Sequence, residues 1–368
     1  MIHKTFEGEK DFMRTNWHYK NCKDIFDRSP VADENKALVY EFLESCRLGL
    51  YQKKIGKNRI VRTFLSLRHL CNMLPSDKIW HDLTKSDIRA MLIKVEEHPG
   101  WGEWEKYVNL TILRKFMSWL RSEYSYPTNY PDRERLIALL PLLDHAPEVK
   151  INLTRPNKLK PLNEIPTAEE VGYLLAACDL LTDRLQGARN KAFLSVLFEL
   201  GARIGGIGPL KIRDIVFDDI GALISITDKT MRGESVRVIQ SVPALKAWLY
   251  LHPLKNDPDA PLWVKLRGDS KLEQIDYGTA RKILHSTVKL HNKTAASRGL
   301  PKIERRIHFH AFRYFAQGRD ALAGMPIAVM CKQRGWSPTS KQPQRYARIS
   351  NEQVDAWLVK HYNAPVMA

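Results

Sequence analysis

The chain has 368 residues, with 58 Lys+Arg against 41 Asp+Glu, a formal net charge of +17 and an isoelectric point near 9.6. At 44% hydrophobic and 27% charged it has a globular composition and enough length for two domains with their own cores, while charge of this sign and size points to a polyanionic partner. No uncharged apolar stretch of about 18 residues occurs and the N-terminal MIHKTFEGEKDF is too polar for a signal peptide, which argues against a membrane role and for a soluble, cytoplasmic protein.

Cys22, Cys46, Cys71, Cys178 and Cys331 are odd in number, scattered and without a CxxC pair, so they read as core thiols rather than a disulfide framework or a zinc site. Charge is uneven along the chain. Residues 1–150 hold 25 Lys+Arg against 21 Asp+Glu, and residues 151–368 hold 33 against 20. Within the first half, Arg47, Lys53, Lys54, Lys57, Arg59, Arg62 and Arg68 fall between Glu44 and Asp77 with no acid among them. A solvated helix face usually mixes signs, so Lys53, Lys54, Lys57, Arg59, Arg62 and Arg68 are candidate phosphate contacts.

Residues 1–30 read as an N-terminal extension of unknown role, either an arm that contacts DNA or a disordered tail. From 31 to 143 the chain reads as a helical bundle. Val39, Phe42, Leu43 and Cys46 repeat at i, i+3, i+4, i+7, as do Leu113, Phe116, Met117 and Leu120, and Ile60, Phe64, Leu67 and Cys71 form a similar stripe. Thr84 and Asp87 match a capped helix start. Between 144 and 166 the apolar period lapses under Pro147, Pro156, Pro161 and Pro166, which predicts a linker whose Lys158 and Lys160 can cross a phosphate backbone.

A second domain, 167–368, opens on a capping box at Thr167 and Glu170. Phe193, Val196, Leu197 and Leu200 form a helical stripe that stops at Gly201. GALISITD and ESVRVIQ then read as a hairpin joined across KTMRG, and LKAWLYL, GTARKILHSTVKL, FRYFAQGRDALA and QVDAWLVKHY as further helices. The predicted fold class is mainly α with a small antiparallel β-sheet, α+β in the second domain.

Chemistry-bearing residues follow one another in this domain. Arg203 stands just past a buried helix, where a guanidinium can turn inward onto a phosphate. Lys229 stands where the first hairpin strand ends, and a lysine there can give up a proton. His310 and Arg313 share a helical face at i and i+3. Trp336 follows, and Tyr346 stands ten positions later, among Lys341, Arg345 and Arg348 on a segment that reads as irregular. Each signal is weak alone; the order carries the specificity.

In that order, LFELGARIGGIGPLKIRDI, ISITDKTMRGESVRVI, HFHAFRYFAQGRDAL and RGWSPTSKQPQRYARI resemble the tyrosine recombinase (phage integrase) family, and in style archaeal integrases. The resemblance covers about residues 160 to 350 by motif, and by architecture the helical first half, which looks like the family's core-binding domain. It implies catalytic residues Arg203, Lys229, His310, Arg313, Trp336 and Tyr346, with Arg345 and Arg348 on DNA, and no metal or other cofactor. It also implies a 3′-phosphotyrosine intermediate, a Holliday junction, double-stranded DNA with specific recombination sites as substrate, and a homotetramer on DNA held through a C-terminal helix within 351–362.

Two positions depart from the family pattern. Its usual acidic residue three positions after the first arginine is Gly206 here, with Glu199 a candidate substitute, and its LGH motif reads RGW, so that an indole able to donate but not to transfer a proton replaces an imidazole. Two rival functions remain: a type IB topoisomerase that relaxes DNA without exchanging strands, and a catalytically silent architectural DNA-binding protein.

Overall fold

A computed structural model describes residues 15–125, 153–156, 165–227, 232–346 and 351–362. The chain divides into two units, Met1–Lys158 and Leu159–Ala368.

The first unit is helical: α1 (Thr15–Asp27), α2 (Asp33–Leu48), α3 (Lys57–Cys71), α4 (Lys85–Glu96) and α5 (Glu103–Ser125), with a 3-10 turn at Trp80–Asp82. Every residue of the three apolar stripes is buried. Helices α1 and α2 pack on α3, and α5 packs on both α3 and α4. The centre is aromatic, with Trp80 and Phe42 edge-on to Phe116 at centroid separations of 4.9 and 5.3 Å. Buried Asn35 satisfies the strand-free stretch before the 3-10 turn, donating to the Lys78 carbonyl at 3.1 Å and accepting from the Trp80 amide at 2.9 Å. The predicted capping box at Thr84 and Asp87 is present at the start of α4.

The segment 1–30, set apart in the sequence, supplies α1 to this same core: Tyr19, Cys22 and Phe26 are buried, with the rings of Tyr19 and Phe26 5.4 and 5.5 Å from that of Phe64. The signal for α1 was present, since Tyr19, Cys22 and Phe26 fall at i, i+3, i+7, but three apolar residues among polar ones were passed over.

In the second unit, α6 (Ala168–Asp179) and α7 (Arg184–Leu200) are followed by a single turn, α8 (Ile204–Ile207). A three-stranded antiparallel sheet comes next: β1 (Ile215–Phe217), β2 (Ala222–Thr227) and β3 (Arg232–Val238), in the order β1-β2-β3. Ile224 stands opposite Ile215 on one side and Val236 on the other. Ala222, Ile224, Ile226, Val236 and Val238 are buried, the period-2 pattern of a sheet covered on one face. Then follow α9 (Val242–Leu251), α10 (Tyr277–Thr294), α11 (Phe309–Leu322), α12 (Ile327–Gln333), α13 (Gln342–Tyr346) and α14 (Asn351–Tyr362).

The fold is therefore mainly α with a small antiparallel sheet. Helix α7 is its axis, packed on by α6, α9 and α11 and buried along most of its length. The capping box at Thr167 and Glu170 forms, and Glu170 also accepts from Arg305 Nε at 2.9 Å, which ties the start of α6 to the segment entering α11. All five cysteines are free and buried. Among the described residues, no helix is long and apolar enough to cross a membrane.

Candidate DNA-cleavage site

Helix α7 stops where the sequence places Gly201. This residue takes φ +54°, and a Cβ there would meet Ala316 Cβ at 2.7 Å and Arg313 Cα at 3.2 Å, so only glycine lets the end of α7 press against α11. Arg203, two residues on, caps α8 and is exposed. The far side of this turn is anchored by Trp263, whose Nε1 donates to the Ile207 carbonyl at 2.8 Å, and by the Leu262 amide, which donates to the Leu210 carbonyl at 2.8 Å.

Helix α11 begins with His308 as N-cap, its Nδ1 accepting from the Ala311 amide at 3.0 Å. His308 is thus a structural cap beside the candidate His310. His310 is exposed, with its ring edge-on to Tyr314 at 5.4 Å. Arg313 is 3% exposed; its Nη1 donates to the Gly201 carbonyl at 3.2 Å, and its guanidinium lies 4.8 Å from the centroid of the Trp336 ring. His310 and Arg313 therefore share a helix but not an environment. Tyr314 is buried with Met330, Cys331 and Trp336.

Trp336 is positioned by the turn that ends α12, where its amide donates to the Cys331 carbonyl at 2.8 Å. Gln333 side-chain atoms bond both the amide and the carbonyl of Arg237 on β3, which docks the hairpin edge against α12. Lys229 lies in the hairpin connection, outside the described residues. Tyr346, expected on an irregular segment, is instead the last residue of α13, which packs on α11 and α12. Two prolines nearby masked a helix this short.

Sequence reasoning missed the groups that hold the site together. Both oxygens of the Glu199 carboxylate accept from the start of α9: the amides of Ile239 (2.6 Å), Gln240 (3.0 Å) and Ser241 (2.7 Å), and the Ser241 hydroxyl (2.5 Å). Glu199 thus caps the start of another helix, a duty its sequence position did not reveal. Arg319, Asp320 and Arg334 were also overlooked. Asp320 and Arg334 are each 4% exposed and ion-paired, and Arg319 bonds Asp320 at 2.7 Å. Burial pushes the Arg334 guanidinium down to about 10 while Asp320 opposes the shift, so Arg334 stays charged at neutral pH. The available signal was Asp320 itself, on the buried face of a helix, seven residues after Arg313.

In the first unit, Lys53, Lys54, Lys57 and Arg59 are exposed, while Arg62 and Arg68 are half-buried. Arg62 pairs with Glu105 at 2.7 Å, and Arg47 with Glu44. Arg59, Arg62 and Lys115 border a cleft of about 400 Å³ together with Trp104 and Tyr107. Lys158, Lys160 and Arg348 lie outside the described residues, and of Arg345 only the backbone, in α13, is described.

Buried Arg313, the Trp336 ring against it and the Gly201–Arg203 turn thus meet at α11, on which the helix that carries Tyr346 also packs. The Phage integrase family model matches residues 165–353, and the chain belongs to that family. It is a tyrosine-type site-specific recombinase, a DNA strand-cleaving and strand-joining enzyme. Three solved structures share the fold. The Tn1549 transposon integrase in complex with circular intermediate DNA is 14% identical (TM-score 0.58; 87% of this chain and 97% of that one covered). The XerH site-specific recombinase bound to difH substrate in a pre-cleavage complex is 16% identical (0.56; 95% and 98%). A lambda integrase tetramer bound to a Holliday junction is 16% identical (0.55; 84% and 77%). Among curated proteins no significant match is found.

Proposed function

We propose that the chain cleaves and rejoins DNA at specific recombination sites through a covalent 3′-phosphotyrosine at Tyr346, and exchanges strands through a Holliday junction. The observation that carries this is the convergence of the Gly201–Arg203 turn, Arg313, Trp336 and the Tyr346 helix, which are far apart in sequence, around α11. As the phosphorus becomes five-coordinate, charge builds on its non-bridging oxygens, and fixed cations there lower the barrier most. Arg203 and Arg313 supply them, with His310 and Trp336 donating further hydrogen bonds.

The Tyr346 phenol, with an ordinary pKa of about 10, loses its proton to His310 or under the cationic field. Its oxygen attacks phosphorus, the P–O5′ bond breaks, and Lys229 protonates the departing 5′-oxygen. Attack by another strand's 5′-hydroxyl on the phosphotyrosine reverses these steps and joins the strands, so bond energy is conserved and neither ATP nor a metal enters the scheme.

The first unit acts as the core-binding domain, with Lys53, Lys54, Lys57, Arg59, Arg62 and Arg68 on phosphates, joined by Lys158, Lys160, Arg345 and Arg348. Assembly is as a homotetramer on DNA in the nucleoid. Helix α14 suits docking onto a neighbouring protomer because Val354, Leu358 and Val359 are 42%, 42% and 51% exposed, apolar area that a partner surface would cover. The relatives seen on DNA, one of them a tetramer on a Holliday junction, support this reading.

The test uses nicked duplexes of random sequence, on which a cleaved strand cannot be rejoined. Wild type is expected to form an SDS-resistant covalent complex whose position maps the site, and Tyr346→Phe to bind DNA without forming it. Absence of adduct with wild type on every sequence in the pool would favour the architectural reading. Relaxation of site-free plasmid by a monomer would favour the topoisomerase.

A further inference from the structure

The carbonyls at the end of α7 are satisfied by three arginines, two from α11 and one from the end of α12. Arg319 Nη2 donates to the Glu199 carbonyl at 2.9 Å, Arg334 Nη1 to the Leu200 carbonyl, and Arg313 Nη1 to the Gly201 carbonyl at 3.2 Å. A helix C-terminus leaves such carbonyls unsatisfied and partially negative, so cations are favourable there. Burying guanidiniums this deeply is costly unless charge and hydrogen bonds compensate, and one carboxylate, Asp320, does so. It accepts from Arg319 Nε at 2.9 Å and Nη2 at 2.7 Å, and from Arg334 Nη2.

The positions of these groups connect them to the chemistry. Asp320 lies two helical turns beyond Arg313 on α11, Arg334 two residues before Trp336, and the Leu200 carbonyl three residues before Arg203. One ion pair and one hydrogen bond therefore join the three elements that carry Arg203, Arg313 and Trp336. The Glu199 carboxylate is hydrogen-bonded to the start of α9, and its charge favours the protonated Arg334.

We infer that Asp320 and Arg334 are positioning residues, which hold the end of α7 in register with α11 and the Trp336 turn so that the phosphate-binding groups stay aligned. Through Arg319 and Arg334, the Asp320 carboxylate on α11 is linked to the end of α7, in a chain whose position 206 is glycine. The inference rests on the assignment of Arg203, Arg313 and Trp336 as phosphate ligands.

A purely structural pair would be replaceable by apolar residues of similar size, since such exchanges are often neutral or stabilising. The double variant Asp320→Leu with Arg334→Leu separates the two roles. Thermal midpoint, DNA Kd and the single-turnover rate of adduct formation are measured on the nicked duplex mapped with wild type. The double variant is expected to keep the wild-type midpoint and a Kd within about threefold, yet to cleave about 10²-fold more slowly, the scale of a misplacement near 1 Å. Arg334→Lys guards against a folding failure in the double variant: it keeps the charge but lacks the fork that holds Asp320 and the Leu200 carbonyl together, and it too is expected to cleave slowly at unchanged Kd. Cleavage at the wild-type rate by either folded variant overturns the positioning role. A wild-type protein that binds the pool but forms no adduct overturns the site assignment beneath it, and with it this inference.

Discussion

In the first unit the buried polar side chains are Asn35, Ser45, Thr63, Ser66, His81 and Asn109; among the described residues none is Lys, Arg, Asp or Glu. In the second, Arg189, Arg313, Arg334 and Asp320 are all buried. A bundle that meets DNA through its surface can leave Lys53, Lys54, Lys57 and Arg59 in water and let apolar packing supply its stability. A site that must grip one phosphate oxygen needs guanidiniums fixed in place, and fixing them means burying them among carbonyls and a compensating carboxylate. Under the proposed function, the two units put the same residue types to opposite uses.

The largest effect should come from the apolar side of this contrast. Phe116 is fully buried among Phe42, Trp80 and Trp119, and Phe116→Ala is expected to cost the first unit about 3–5 kcal/mol. Hydrogen exchange on the intact chain should show lost protection in peptides of the first unit and retained protection around α7. Equal loss in both would show that the units do not hold their cores separately.

On the charged side, backbone contact matters more than side-chain volume. Gly201→Ala places a Cβ 2.7 Å from that of Ala316 at a residue already at φ +54°, and is expected to cost about 1–3 kcal/mol and to slow adduct formation. Gly205→Ala, four residues along with nothing within 4 Å of its Cβ, should change stability by less than about 1 kcal/mol and leave cleavage intact. Similar cleavage losses in both would mean that close approach of α7 to α11 is not what assembles the site.

The same contrast explains what the sequence made legible. Stripes such as Val39, Phe42, Leu43, Cys46 and Phe193, Val196, Leu197, Leu200 are repeating signals, and each lies buried in a helix. The hairpin appeared through alternation of Ala222, Ile224 and Ile226, but β1, only three residues long, was too short to alternate visibly. The phosphate-gripping candidates were legible through order along the chain. Arg319, Asp320 and Arg334 were not, because a buried ion pair between residues 14 apart has no period, and its meaning depends on carbonyls contributed by α7.

A smaller effect should appear with pH. His252 is 2% exposed, with Nδ1 accepting from the Leu254 amide at 3.0 Å and Nε2 against the Pro261 carbonyl at 3.2 Å, an arrangement that suits the neutral ring. Burial lowers its pKa below the ordinary 6.5, although the carbonyls of Pro261 and Leu262 oppose the shift. The unfolded chain therefore binds the proton more readily. The contribution of His252 is fully present above about pH 6.5 and is lost as pH falls through the folded value, at up to about 1.4 kcal/mol per pH unit within that window. Denaturant unfolding of the second unit between pH 8 and pH 5 should show this loss, and His252→Gln should flatten it. An unchanged slope in the variant would show that the acid sensitivity does not come from His252.

The smallest expected effect lies at Arg62 and Glu105, paired at 2.7 Å with side chains 37% and 34% exposed. Water and salt screen such a pair, so a double-mutant cycle through Arg62→Ala and Glu105→Ala should give a coupling of about 0.5 kcal/mol or less, fading as salt rises. The effect of Arg62→Ala on DNA should be separate from this: weaker binding across all sequences, with the slope of log K against log salt reduced by about one. A coupling well above 1 kcal/mol that persists in high salt would mean that the bundle also depends on a fixed ion pair. The contrast between a surface that attracts DNA and a site that holds its phosphate would then be one of degree.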